Sequence, residues 1–154
     1  MKRALDTRGA VFVEYLIAFL PVMTLFASTW QIADLYATHL IVKRAASAAG
    51  RAASVVLPDD RFYYEDVEEN SYAGARRSQI ELAANLILRA SPRILANPEV
   101  RVEGASGNGP LTVTVEANLK CFPGWGMFVC GADGVKKVRS QVRYPYHGAR
   151  YAYE

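Results

Sequence analysis

The hydrophobic and polar positions divide this chain into dissimilar stretches. From Gly9 to Ile32 it reads GAVFVEYLIAFLPVMTLFASTWQI, apolar enough to cross a bilayer and carrying one charged side chain, Glu14. From Ala33 the apolar positions thin to Leu35, Ile41 and Val42, with Asp34, Thr38, His39, Lys43 and Arg44 between them, and Ala45–Ala53 is nearly all small. Nothing in this run stops a helix before Pro58, so the pattern predicts one helix from Ala10 to about Val56, roughly 70 Å long. Pro21 removes a backbone donor in its apolar half and predicts a kink rather than a stop.

Leu57–Tyr72, LPDDRFYYEDVEENSY, is an acidic and aromatic connector opened by a Pro58-Asp59-Asp60 turn signal. Its carboxylates lack the spacing and the turn glycine of a calcium loop, which makes a solvated loop the expectation. Ala73–Ala90 predicts a second helix, with Ile80, Ala83, Ala84, Ile87 and Leu88 at helical spacing and Pro92 beyond its end. Alternation then returns in Glu99–Glu103 and Leu111–Leu119, on either side of the turn cluster GASGNGP, and in Val135–Tyr144. In the last of these, Val135 and Val138 break the period of two, which predicts a bulge or a late start.

These elements predict an α+β fold. A long N-terminal transmembrane helix continues beyond the membrane, followed by a small domain with a second helix and a roughly three-stranded antiparallel sheet. The expected divisions are a basic leader at 1–9, the helix at 10–56 with its spanning part at about 10–32, the connector at 57–72 and the domain at 73–154.

The apolar run is long enough for about 30 Å of hydrocarbon. The leader MKRALDTRG carries Lys2, Arg3 and Arg8 against Asp6, which favours a cytoplasmic N-terminus with everything after Ile32 across the membrane. A carboxylate at a membrane helix centre costs roughly 3 kcal/mol and marks a functional position when a partner can be named. Two plainer readings stand beside this one. One is a secretory signal peptide cut near Ala27–Ser28, against which Glu14, Pro21 and the length of the run count. The other is a signal anchor in which Glu14 reaches back to the interface.

Composition narrows the function classes. The chain has 154 residues, 51% of them hydrophobic, and a net charge of +3, enough for one membrane segment and one small domain. Arg76, Arg77, Lys136, Lys137, Arg139 and Arg143 are scattered, which reads as solvated faces and gives no nucleic-acid arm. The only cysteines, Cys121 and Cys130, enclose a turn-rich loop. Export would favour a disulfide between them, stabilising by about 2–3 kcal/mol, whereas a cytosolic location would leave both reduced. No catalytic serine motif, phosphate loop or metal cluster is present, and neither an enzyme nor a cofactor or metal site is expected. In the tail YPYHGARYAYE, the tyrosines 144, 146, 151 and 153 suggest an adhesive surface or, with the better prior, a packing flap.

The string R-G-A-V-F-V-E-Y places Glu14 and Tyr15 at the fifth and sixth positions after Gly9; the apolar run and then KRAASAAGRAASV follow. Over about Arg8–Val56 this resembles the TadE-like minor pseudopilins of tight-adherence (Flp-type) pili. The resemblance implies cutting between Gly9 and Ala10 by a prepilin peptidase, with Glu14 and Tyr15 completing the recognised motif. It also implies partners: other pilin and minor pseudopilin subunits, an inner-membrane assembly platform and membrane lipid. The expected location is a single-pass inner-membrane protein with a periplasmic domain, reaching the pilus itself if assembled. A cut after Gly9 would free an α-amino group on Ala10, largely cationic at neutral pH, and a neighbouring subunit's amine could pair with Glu14 and fix axial register. The small residues Ala46, Gly50 and Ala53 would allow close helix packing against other subunits. The alternatives are a membrane-anchored periplasmic binding module without pilin-type processing, and a secreted enzyme behind a signal peptide.

Overall fold

Helix α1 runs without interruption over Thr7–Val56, which is 50 residues and about 75 Å. The computed structural model describes residues 7–95, 98–105, 109–121, 130–131, 133–146 and 148, with main chain alone at 7, 8 and 10. Pro21 lies inside α1 and does not stop it. Around it, Thr24, Ser28 and Thr29 donate their hydroxyls to the carbonyls four residues back, at 2.7–2.9 Å. These three hydroxyls are thereby satisfied within the helix, as an apolar surrounding requires.

The helix ends where expected. Leu57 N–H still donates to Ala53 O at 3.0 Å, and Pro58 then removes the next donor. Asp60 caps a short 3-10 turn at Arg61–Tyr63 by accepting from Phe62 N–H. The connector folds back, with Asn70 N–H on Leu57 O at 2.8 Å. Helix α2 (Gly74–Leu88) returns along α1.

Strands β1 (Glu99–Glu103), β2 (Leu111–Lys120) and β3 (Val135–Tyr144) form one antiparallel sheet in the order β1-β2-β3. The register is continuous from Leu111↔Tyr144 to Lys120↔Val135. The broken period in β3 is therefore a late start: Val135 to Lys137 are exposed and the covered face begins at Val138. The core fills the space between this sheet and the helices. Val42, Ala45, Ala46, Ala49 and Ala53 of α1 meet Ile80, Ala84 and Leu88 of α2 and Val113, Val115, Ala117 and Leu119 of β2. Alanines on that face let α1 approach both β2 and β3 as well as α2, because no long side chain holds the backbones apart.

The small-residue face is thus covered from within the chain. Ala46 and Ala53 are fully buried in this core, leaving no surface there for another subunit. Gly50 has its own reason: the Tyr144 ring crosses it so closely that a Cβ would fall 2.2 Å from a ring carbon. The Tyr144 hydroxyl donates to Ser47 O at 3.0 Å and lies 2.9 Å from its Oγ.

Arg76 also corrects an expectation. It is not on a solvated face but fully buried. Its guanidinium donates to Val56 O, to Leu57 O at 3.4 Å, to Asp59 O at 3.0 Å and to Val67 O at 3.2 Å, and lies 4.5 Å from the Tyr64 ring centre. These acceptors include orphan carbonyls at the end of α1, where the helix dipole also favours a cation. Arg76 locks the turn between the helices.

Candidate functional site

The candidate residues fall into separate groups along one helix. Val11 to Leu20 are all exposed, and none of the most apolar 18-residue stretch of α1 is buried inside the molecule. It is the one helix, among the described residues, long and apolar enough to cross a membrane. A Cβ added at Gly9 would meet nothing within 4 Å, and α1 passes through the Gly9–Ala10 junction rather than starting after it. Glu14 is exposed on this surface, without a hydrogen bond or ion pair among the described residues. Tyr15 stacks on Phe19 one turn on, with ring centres 5.4 Å apart. Ala10 and Glu14 stand four residues apart, so they share one helix face.

Ala46, Gly50 and Ala53 lie on the far half of the helix, the nearest of them about 48 Å beyond Glu14 along the axis. The structure does not bring the two groups together. Between them is a seam where the exposed half ends and the head begins. There the Arg93 guanidinium pairs with Asp34, Thr38 donates to Asp34 O at 3.0 Å, and Gln31 is 2% exposed. Ile94 bridges to Leu119 beside this pair, so the end of β2 and the start of β3 lie at the seam. Cys121 and Cys130 are bonded to each other at this same end. Cys121 is buried, and its N–H donates to Gly134 O at 2.9 Å. The residues between the two cysteines lie outside the described ones.

A second feature of the seam is an open groove of about 350 Å³. Ile32, Leu35, Tyr36 and His39 of α1 form one side, and Lys136, Lys137, Val138 and Arg139 of β3 the other. Behind it, on the outer sheet face, Glu116 pairs with Lys137 and lies 3.5 Å from Arg139. The Lys137 hydrogen bond, helped by the charges of Lys137, Arg139 and Arg101, holds the Glu116 carboxyl below the usual range against the opposing effect of burial.

A larger groove of about 730 Å³ opens between α2 and β1, with Arg77, Glu81, Asn85 and Arg89 along its helix side. Tyr72 closes one end of this region by donating to Val100 O at 3.0 Å and lying 3.4 Å from Glu81 Oε1. Burial, with Glu81 nearby, pushes its phenol up to about 12. Among the described residues no three His, Cys, Asp or Glu side chains gather as a metal site.

Of the tail tyrosines, Tyr144 and Tyr146 are packing residues. Tyr146 is buried and its hydroxyl donates to Asn70. Tyr151, Tyr153 and His147 lie outside the described residues. Sequence reasoning missed the Asp34–Arg93 pair and the role of Arg76. The second had a visible signal: Arg76, Ile80, Ala84 and Leu88 recur at every fourth position, so the arginine sits on the apolar stripe of α2.

No family model, characterised protein or solved structure matches this chain.

Proposed function

We propose that this chain is a minor pseudopilin of the TadE-like kind, anchored in the bacterial inner membrane with its head in the periplasm, and that it helps assemble or prime a tight-adherence pilus. The observation that carries the reading is Glu14: a carboxylate without a partner among the described residues, on an otherwise apolar, exposed helix surface, in the context G-A-V-F-V-E-Y. A charge in that setting calls for a partner supplied from outside the chain. The amine freed at Ala10 of a neighbouring mature subunit has the right charge for that role. A Cβ at Gly9 would meet nothing within 4 Å, and a residue without one lets a peptidase approach the scissile backbone closely.

On this reading the contacts with other subunits are made by the exposed half of α1, since Ala46, Gly50 and Ala53 are occupied by the chain's own head. A second reading, a membrane-anchored periplasmic binding module, is favoured by the polar-lined groove between α2 and β1.

Coexpression of the full chain with a prepilin peptidase, followed by intact-mass analysis, separates the two. The pseudopilin reading expects a mature chain starting at Ala10, with cleavage blocked in Gly9→Ala and Glu14→Ala cut but not assembled. An uncut wild-type chain overturns that reading in favour of the anchored module.

A further inference from the structure

The seam groove combines an apolar floor, a basic wall and a fixed height relative to the apolar half of α1. Its α1 side begins at Ile32, the last residue of the apolar run, and ends at His39, a rise of about 10 Å. The headgroup layer of a bilayer occupies about 5–7 Å beyond the hydrocarbon on each side. Trp30 and Tyr36, 63% and 65% exposed, flank the start of the groove, as aromatic residues do at a membrane interface. If Ile32 leaves the hydrocarbon, the groove lies at headgroup depth with its floor continuous with the apolar half of the helix.

The basic wall is the part that simple packing does not account for. Lys136 belongs to the sheet face whose next positions, Val138 and Ser140, are buried against α1. At Lys136 that face has left the core and borders the groove, and the ammonium has no hydrogen bond or ion pair among the described residues. Lys137 and Arg139 share the carboxylate of Glu116, and exposed Lys120 stands across from Val135. Asp133, exposed in the turn before β3, is the other carboxylate of this strand end, while Asp34 is paired with Arg93. The end of the head facing the apolar half thus keeps an excess of positive charge.

We infer that this groove seats the headgroup of an anionic phospholipid of the bilayer that α1 enters. Lys136 faces the phosphate, Lys137 and Arg139 add positive charge at the rim from the outer sheet face, and Ile32, Leu35, Tyr36 and Val138 contact the glycerol and upper acyl segments. The inference rests on α1 crossing a bilayer and not on the pseudopilin reading, so it stands or falls independently of cleavage after Gly9. A basic edge strand also deters edge-to-edge pairing between copies, and the experiment separates that role from lipid binding.

The test uses the full chain in nanodiscs of equal parts phosphatidylglycerol and phosphatidylcholine, released for native mass spectrometry. The expected result is a retained phosphatidylglycerol in preference to phosphatidylcholine, with retention falling about five-fold for Lys136→Gln and by less for Lys137→Gln, whose ammonium is shared with Glu116. Arg143→Gln, at the opposite end of the same strand, serves as the control for charge elsewhere and is expected to retain lipid like the wild type. Near-UV circular dichroism checks that each variant keeps its packed head. No preference for phosphatidylglycerol in the wild type overturns the inference. So does undiminished retention in a folded Lys136→Gln/Lys137→Gln double variant, including the case in which that variant dimerises through β3. An equal loss in Arg143→Gln would reduce the effect to net charge and overturn the site as well.

Discussion

The two halves of α1 belong to one unbroken helix and solve opposite problems. The first half is apolar on every side, and its large side chains (Val11, Phe12, Ile17, Leu20, Leu25, Phe26) are exposed all round. The second half packs a face of small apolar side chains against α2 and the sheet, while a few larger ones, Tyr36, Leu40 and Val55, stay exposed on its other sides. A helix apolar all round needs an apolar surrounding, whereas one with a narrow small-residue face needs close neighbours. The difference shows that side-chain size, more than apolar content, determines which part of a long helix acts as an anchor and which part organises a domain.

The sharpest way to break this division is at Arg76, because its contacts hold the return of the chain against the docked half alone. Arg76→Ala leaves the carbonyls of Val56, Leu57, Asp59 and Val67 without their buried donor. A loss of about 3–5 kcal/mol of head stability is expected, measured by denaturant unfolding of the full chain in detergent micelles. Arg76→Lys recovers only part of it, since an ammonium cannot reproduce the planar fork. Membrane insertion, followed by carbonate extraction, should not change. A variant as stable as the wild type would remove Arg76 from the account of the turn.

Much of this division can be read in the sequence, and the gaps have physical reasons. The strands were legible because alternation reports a sheet with one covered face, and β1 and β3 end where the alternation ends. The long helix was legible because nothing in it breaks one before Pro58. What covers Ala46, Gly50 and Ala53 was not legible. Small residues announce a close neighbour without saying whether it comes from the same chain or another. Asp34 and Arg93, 59 residues apart, come together only through the return of α2 and the turn after it. The charge of Arg76 suggested solvent, but its position on the α2 stripe required burial, and position prevailed because backbone carbonyls were there to receive it. The candidate site was half legible: Gly9, Glu14 and Tyr15 stand out as a string, while the seam groove needs the sheet to bring Lys136 beside Ile32.

A second comparison places the same substitution in each half. Gly50→Ala puts a methyl into the Tyr144 ring, which must leave Ser47 or push β3 from the helix. Alanine favours a helix over glycine by about 1 kcal/mol, while overpacking costs about 1–3 kcal/mol; a Cβ 2.2 Å from a ring carbon belongs at the upper end of that range, so a net loss of about 1–2 kcal/mol in head stability is expected. Gly9→Ala meets nothing within 4 Å and should leave head stability unchanged. Equal effects in paired thermal melts would mean that the halves are not energetically separate. A stabilised Gly50→Ala would mean that Tyr144 yields its place freely.

The smallest effect concerns alkali and again belongs to the head. The Tyr72 phenol, with its ordinary value of 10 pushed up to about 12 by burial and by Glu81, is stabilised in its protonated, donating form. Its contribution is therefore fully present below pH 10 and is lost as the pH rises through 10 towards 12. Tyr72 is only partly buried, and solvent screening keeps the effect below about 1 kcal/mol. Tyr64 and Tyr146 are also shifted upward by burial, so the wild-type curve alone would not isolate Tyr72. The difference between wild type and Tyr72→Phe does: their denaturant midpoints should lie apart below pH 10 and converge by about pH 12. Midpoints that remain parallel across that range would show that the Tyr72 hydroxyl does not link the connector, α2 and β1 through its proton. The grip of the head on its half of α1 would then rest on packing and on Arg76.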